Sequence, residues 1–116
     1  GEYGLRTTKG IKSKEYLGSG LLSFGPYIDI DKGHYSLAIE LICYQSLPQL
    51  TISVTSEYGS QILTTKSFPI KTQGYSDIDF VISFDAKSPA NSVEFLLTTE
   101  GILEYEIVSY TLQKNT

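Results

Sequence analysis

The chain has 116 residues and a net formal charge of −4, and 41% of its residues are hydrophobic against 19% charged. This balance is typical of one globular domain with a single core, and it excludes a disordered tail. The acidic balance argues against binding a nucleic-acid backbone, which requires a basic surface. No run of about 18 apolar residues is present, so we expect no membrane insertion.

The first third of the chain contains several short candidate strands. Weaker strand patterns lie at about residues 2–8, 11–17 and 20–24. Gly25-Pro26 is expected to end the third of them, because proline lacks an amide hydrogen and fixes φ. YIDI (27–30) then predicts a short strand and DKG (31–33) a turn.

Four later segments alternate between apolar and polar residues with the period of two that indicates a strand. They are YSLAIELICY (35–44), QLTISVTSEY (49–58), DIDFVISFD (77–85) and SVEFLL (92–97), with a weaker strand expected at about 60–68. In GILEYEIVSYTL (101–112) the apolar parity changes. A β-bulge near residues 106–108 would keep both apolar sets on the buried face.

Turn sequences separate these strands at intervals of about ten residues, which is the pattern of an antiparallel sandwich or barrel. We therefore predict an all-β fold, an antiparallel β-sandwich of the jelly-roll type with about eight strands. Residues 1–116 are expected to form a single domain. The opening sequence GEYGLRTTKG has no initiator Met and no apolar signal-peptide region, so we expect the domain to be excised from a longer protein.

The sequence contains no nucleophile elbow, phosphate-binding loop or dinucleotide fingerprint. The single histidine, His34, has no second histidine or cysteine cluster with which to bind zinc, and it is interpreted as a polar turn residue. Cys43 falls on the apolar parity of its strand and is interpreted as a core residue. We predict a domain that is not an enzyme and has no cofactor. The acidic sequence DIDKG (29–33) leaves a structural calcium ion open.

Five features follow one another along the chain: a glycine-led apolar strand (20–24), GPY (25–27), a short apolar strand (28–30), GHY (33–35) and EF (94–95). This pattern resembles a family of bacterial β-sandwich domains that occur beside glycosyltransferases and methyltransferases of surface-polysaccharide assembly. It is also similar to jelly-roll carbohydrate-binding modules. The resemblance implies a glycan or polysaccharide partner, other domains of a parent protein, and a cytoplasmic location if that parent is a polysaccharide-assembly enzyme.

The nine tyrosines supply the candidate binding residues, because a tyrosine ring offers a flat apolar surface with a hydroxyl and suits a sugar ring or a protein partner. Carboxylates on the same surface would bind sugar hydroxyl groups. Tyr27 ranks last, because a motif position of this kind is often buried. The predicted carbohydrate-binding residues are Tyr44, Tyr58, Tyr75, Asp77, Asp79, Glu40 and Tyr27.

Two other functions remain open from the sequence. The first is a protein-interaction or oligomerisation jelly roll like the trimeric tumour-necrosis-factor and C1q type, for which Ile42 and Leu96 would be outward apolar residues. The second and more distant alternative is a glycoside hydrolase with an acid pair.

Overall fold

The computed structural model of the protein describes residues 4–7, 11–12, 20–43, 47–70, 76–99 and 105–115. These residues contain nine strands and no helix, and so none of them forms a helix that is long and apolar enough to cross a membrane. The strands are β1 Gly4–Thr7, β2 Ile11–Lys12, β3 Gly20–Ile30, β4 Gly33–Cys43, β5 Leu47–Ser56, β6 Gln61–Ile70, β7 Ser76–Ala86, β8 Ala90–Thr99 and β9 Tyr105–Asn115.

The strands form two antiparallel sheets that pack face to face. The five-stranded sheet has the order β1-β9-β4-β7, with β2 also paired to β9, and the four-stranded sheet has the order β3-β8-β5-β6. Chain neighbours such as β7, β8 and β9 alternate between the two sheets, as in the double Greek key of a jelly roll. The predicted fold class is therefore confirmed.

Strand β4 lies in the middle of the five-stranded sheet, between β7 and β9. Its odd-numbered residues from Tyr35 to Cys43 face the other sheet and are at most 1% exposed. Even-numbered residues such as Ala38 and Glu40 lie on the outer face. The burial predicted from the period-2 pattern is thus confirmed for this strand, and Cys43 is a core residue.

The predicted bulge in the last strand is present. Glu40 lies opposite Ser109, whereas Leu41 lies opposite Ile107, so Val108 of β9 has no partner residue on β4. This extra residue shifts the side-chain parity, and Ile107 and Tyr110 are both buried as a result.

The prediction that Gly25-Pro26 ends a strand is wrong, because β3 continues through both residues to Ile30. The register with β8 shifts at this point: Phe24 pairs with Phe95 and Ile28 with Val93. Three residues of β3 therefore lie opposite one residue of β8. An edge strand accommodates a proline at such an irregularity, because its missing amide is not needed for pairing.

Aromatic pairs connect the elements of the core. Phe95 of β8 and Tyr110 of β9 meet across the two sheets in an edge-to-face contact with centroids 5.6 Å apart. Phe68 of β6 contacts Phe80 of β7 at 4.6 Å and closes one side of the sandwich. This side is formed by β6 and β7, the last strands in the two sheet orders.

The weaker strand predictions at 2–8, 11–17 and 60–68 each correspond to a strand of the structure, with different bounds. The pattern at 60–68 corresponds to β6, Gln61–Ile70. Those at 2–8 and 11–17 correspond to β1 and β2, and the remaining residues of both ranges lie outside the described residues.

Candidate functional site

The structure divides the predicted binding residues between the two sheets. Tyr27 and Tyr58 lie together beside the four-stranded sheet, on β3 and on the turn between β5 and β6. Three carboxylates lie on the five-stranded sheet, and they are described separately below. Tyr44 and Tyr75 lie outside the described residues.

The Tyr27 and Tyr58 rings form an exposed aromatic pair. Their centroids are 5.6 Å apart and their planes are tilted by 48°. The two residues are 59% and 77% exposed, respectively. The expectation of a buried Tyr27 is wrong, because the irregularity of β3 places this residue opposite Glu94 on the outer face of β8.

Glu94 lies beneath the tyrosine pair and is only 7% exposed. Its carboxylate lies close to the Tyr27 hydroxyl and acts on it electrostatically. On its other side Glu94 pairs with Thr55 of β5. Because Val54 and Phe95, the next residues of these two strands, face the core, the side chains of Thr55 and Glu94 share the outer face. We call these four residues (Tyr27, Tyr58, Glu94 and Thr55) the tyrosine site.

Thr55 is buried, and among the described residues its hydroxyl oxygen has no hydrogen-bond partner. Buried polar groups are normally paired, and an unpaired one destabilises the fold. The tyrosine site therefore combines two exposed rings with a buried carboxylate and a buried hydroxyl.

The turn that carries Tyr58 is held in an uncommon backbone conformation. Glu57, Tyr58 and Gly59 have φ angles of 53°, 56° and 87°, so three successive residues lie in the left-handed region. Residues other than glycine rarely adopt this region, and strain of this kind often occurs at ligand-binding positions. The Glu57 amide donates to the Asn91 carbonyl at 2.8 Å, which fixes the turn to β8.

The negative charge of Glu94 acts on the Tyr27 hydroxyl. The pKa of Tyr27 is raised above its usual value of 10.0, chiefly by this charge. Loss of the phenol proton would place two negative charges side by side.

The second group of predicted residues is an acidic cluster of Glu40, Asp77 and Asp79. Glu40 of β4 pairs directly with Asp79 of β7, and carboxylate oxygens of all three residues lie within 4.8 Å of one another. Asp77 raises the pKa of Glu40, with smaller contributions from burial and from Asp79. Glu40 and Asp79 also line a cavity of about 170 Å³ on this sheet. Among the described residues, these three carboxylates are the group that lies close enough together to hold a single cation.

The residues first considered for calcium have structural partners. The Asp29 carboxylate accepts a hydrogen bond from the Ser92 amide at 3.0 Å, and Ser92 has a left-handed φ of 52°. The Asp31 carbonyl accepts one from the Tyr35 hydroxyl at 2.8 Å. These bonds fix the β3–β4 turn to the rest of the sandwich.

The histidine and the cysteine have positions that agree with their structural interpretations. His34 is exposed near the start of β4, and its Nδ1 atom is hydrogen-bonded to the carboxylate of Asp85, the residue opposite it on β7. Cys43 is fully buried, and burial raises the pKa of its thiol to about 11. Neither residue lies in the tyrosine site.

A groove of about 340 Å³ begins at the base of the same turn, where Ser56 and Glu57 form part of its lining. It runs between the start of β6, with Ile62 and Leu63, and the loop after β7, with Pro89. The tyrosine site and the groove therefore share one end of the molecule.

Sequence reasoning missed two members of the tyrosine site, Glu94 and Thr55. Both fall on the polar parity of their strands, which predicts exposure to solvent. They are buried here at 7% and 3% exposure. The sequence feature that could have indicated the burial of Glu94 is the GPY segment, because the strand pairing is irregular at its proline, opposite Glu94.

Comparisons with known proteins agree on the fold. No protein-family model and no curated protein matches the chain. An arabinose-bound GH51 α-L-arabinofuranosidase has a TM-score of 0.60 at 16% identity, over 83% of this chain and 18% of that one. The infectious bursal disease virus VP2 subviral particle has a TM-score of 0.58 at 13% identity, over 98% and 32%.

A third structure matches over its full length. The C-terminal CBM6 module of LamC, a marine laminarinase from Zobellia galactanivorans, has a TM-score of 0.52 at 16% identity, over 98% of this chain and 100% of the module. This chain thus spans less than a third of the arabinofuranosidase and capsid chains and the whole of the module. At these identities the similarity defines a shared jelly-roll fold.

Proposed function

We propose that the protein is a non-catalytic carbohydrate-binding module whose ligand binds at the tyrosine site. The observation that carries the proposal is the exposed Tyr27–Tyr58 pair above a buried carboxylate. Aromatic rings stack on the apolar faces of sugars, and a carboxylate accepts hydrogen bonds from sugar hydroxyl groups. The likeness to a CBM6 module over that module's full length supports this function.

The architecture of the site suits a binding role. Both tyrosines are held by the backbone, Tyr27 on a strand and Tyr58 on a turn fixed to β8, so little order has to be gained on binding. The surface is shallow, and we expect weak affinity for a short glycan. The adjoining groove would give a longer glycan additional contacts.

A glycan array followed by calorimetry tests the proposal. Tyr27→Ala and Tyr58→Ala should each weaken binding by about tenfold or more, which is about 1.4 kcal/mol. Val81→Ala is the matched control, because Val81 is also 66% exposed but lies on the other sheet. A protein that binds no glycan, or whose binding survives both tyrosine substitutions, would contradict the proposal.

The remaining predicted residues define competing surfaces for the same assay. Tyr44→Ala and Tyr75→Ala test the two tyrosines outside the described residues. Asp77→Asn and Asp79→Asn test the acidic cluster. Loss of binding in the two aspartate variants alone would assign the site to the five-stranded sheet, and loss in Tyr44→Ala or Tyr75→Ala alone would contradict binding at the tyrosine site. We further propose that the ligand is a bacterial surface polysaccharide and that the parent protein acts in polysaccharide assembly. The GPY…GxY…EF pattern supports both proposals, and the sequence of the full-length gene would test the second.

A protein-assembly module is the second candidate. Ile62 of β6 and Val81 of β7 are exposed by 70% and 66%, and both lie on strands at the ends of the sheet orders. The VP2 subviral particle, an assembly, has a similar fold. Sedimentation of the purified protein separates the two functions: a stable trimer that Val81→Asp dissociates, together with no glycan binding, would favour assembly.

A further inference from the structure

We propose that the tyrosine site selects a ligand that carries a protonated amine, such as an amino-sugar residue of a glycan. This inference rests on the proposed function and specifies its ligand class. It is carried by the position of Glu94, whose carboxylate lies beneath two exposed aromatic rings and is itself only 7% exposed.

The rings are suited to a cation. The electron-rich face of an aromatic ring attracts an ammonium group, and pockets of several aromatic rings recognise such groups. The Glu94 carboxylate lies close to the Tyr27 hydroxyl. A negative charge beside the hydroxyl makes the ring face more attractive to a positive charge.

The buried carboxylate adds to this attraction. Glu94 lies against the turn that carries Tyr58, since its Oε1 atom would be 3.5 Å from a Cβ atom added to Gly59. A cation over the tyrosine pair would therefore lie close to this charge, with protein and not water between them. The attraction between two charges is stronger through protein than through water.

A neutral sugar would gain less from the same arrangement. Hydrogen bonds between an ammonium group and a carboxylate are roughly twice as strong as neutral ones. A hydroxyl in the same position would also lack the attraction to the two ring faces. The site therefore discriminates by charge at one position of the ligand, whereas the flat rings accept the sugar ring in either case.

Two oligosaccharides with the same backbone provide the test: a glucosamine tetramer with free amines and an N-acetylglucosamine tetramer of equal length. Calorimetry near pH 6, in 150 mM salt, should show the free-amine tetramer binding the wild-type protein about tenfold tighter. Glu94→Gln keeps the size and the acceptor oxygen but removes the charge, so it should reduce this ratio by several-fold and leave only the contribution of the ring faces.

Glu40→Gln is the matched control. It removes the same charge from the acidic cluster on the other sheet, and it should leave the ratio unchanged. An equal loss of preference in Glu40→Gln would assign the effect to the acidic cluster and overturn the inference. Circular dichroism establishes that each variant is folded. If Glu94→Gln does not fold, Tyr58→Ala, which removes the 77% exposed ring, must reduce the preference instead.

The outcomes separate the inference from the proposed function. Equal affinity for the two tetramers, with binding lost in Tyr27→Ala, would overturn the amine preference and leave the glycan-binding site in place. Binding of neither tetramer, nor of any glycan on the array, would overturn both.

Discussion

The carboxylate of Glu94, a buried residue of β8, acts on the hydroxyl of Tyr27, an exposed residue of the neighbouring edge strand β3. Because this charge raises the pKa of Tyr27, its phenol should lose a proton at higher pH than an ordinary tyrosine. Ultraviolet titration of the wild type minus Tyr27→Phe isolates this residue from Tyr110, whose pKa is also raised, by burial. Glu94→Gln should return the Tyr27 pKa toward its ordinary value, and an unchanged titration would contradict the contact.

The acidic cluster predicts an unusual pH dependence of stability. The pKa of Glu40 is raised from 4.5 by Asp77. The folded state therefore binds a proton more readily than the unfolded state, and stability from this group falls as pH rises from about 4.5 through the raised pKa. Glu40→Gln should raise the thermal midpoint at pH 7 and lose this advantage at pH 4. Asp31→Asn, an exposed carboxylate outside the cluster, is the control and should show neither effect.

The unpaired hydroxyl of Thr55 predicts a stabilising substitution. An unsatisfied buried hydroxyl costs at least about 1 kcal/mol, so Thr55→Val should raise the free energy of unfolding in urea by about that amount. Thr51→Val is the comparison on the same face of β5, because the Thr51 hydroxyl is hydrogen-bonded to that of Ser67 at 2.9 Å. Thr51→Val should not stabilise the protein. A loss of stability in Thr55→Val would indicate that the hydroxyl has a partner.

The turn beneath Tyr58 predicts a destabilising substitution. Gly59 has a φ of 87°, which an L-residue adopts at a cost of about 1–2 kcal/mol. The added Cβ would itself meet only an ordinary contact with Glu94 at 3.5 Å. Gly59→Ala should therefore lower the free energy of unfolding by about 1–2 kcal/mol through backbone strain. Gly33→Ala is the control, because there the near neighbour is the end of the flexible Lys114 side chain, which can move.

Local alternation was sufficient to predict much of the fold. It placed Tyr35 and Leu41 in the core and anticipated the bulge at Val108, because parity along a strand depends on the strand alone. The candidate site was only partly predictable. Glu94 has the parity of an exposed residue, yet it is buried, and it lies close to Tyr27 and to the turn at Gly59, which come from other parts of the chain.

Predicted residues that looked alike in the sequence also separated in space. Tyr58 and the pair Asp77 and Asp79 were predicted to form one surface, but they belong to different sheets. Which strands share a sheet depends on the jelly-roll connections and not on the spacing of residues.

The place of β9 between β1 and β4 has a consequence for how the chain is made. Of the described strands, β9 leaves the ribosome last. It is nevertheless one of the two strands that pair with β4, and it is the described strand with which β1 and β2 pair. Until it emerges, the five-stranded sheet consists of β4 and β7 alone. Nascent chains arrested before Tyr105 should accordingly be digested readily by protease, and resistance should arise in one step once β9 is free to insert.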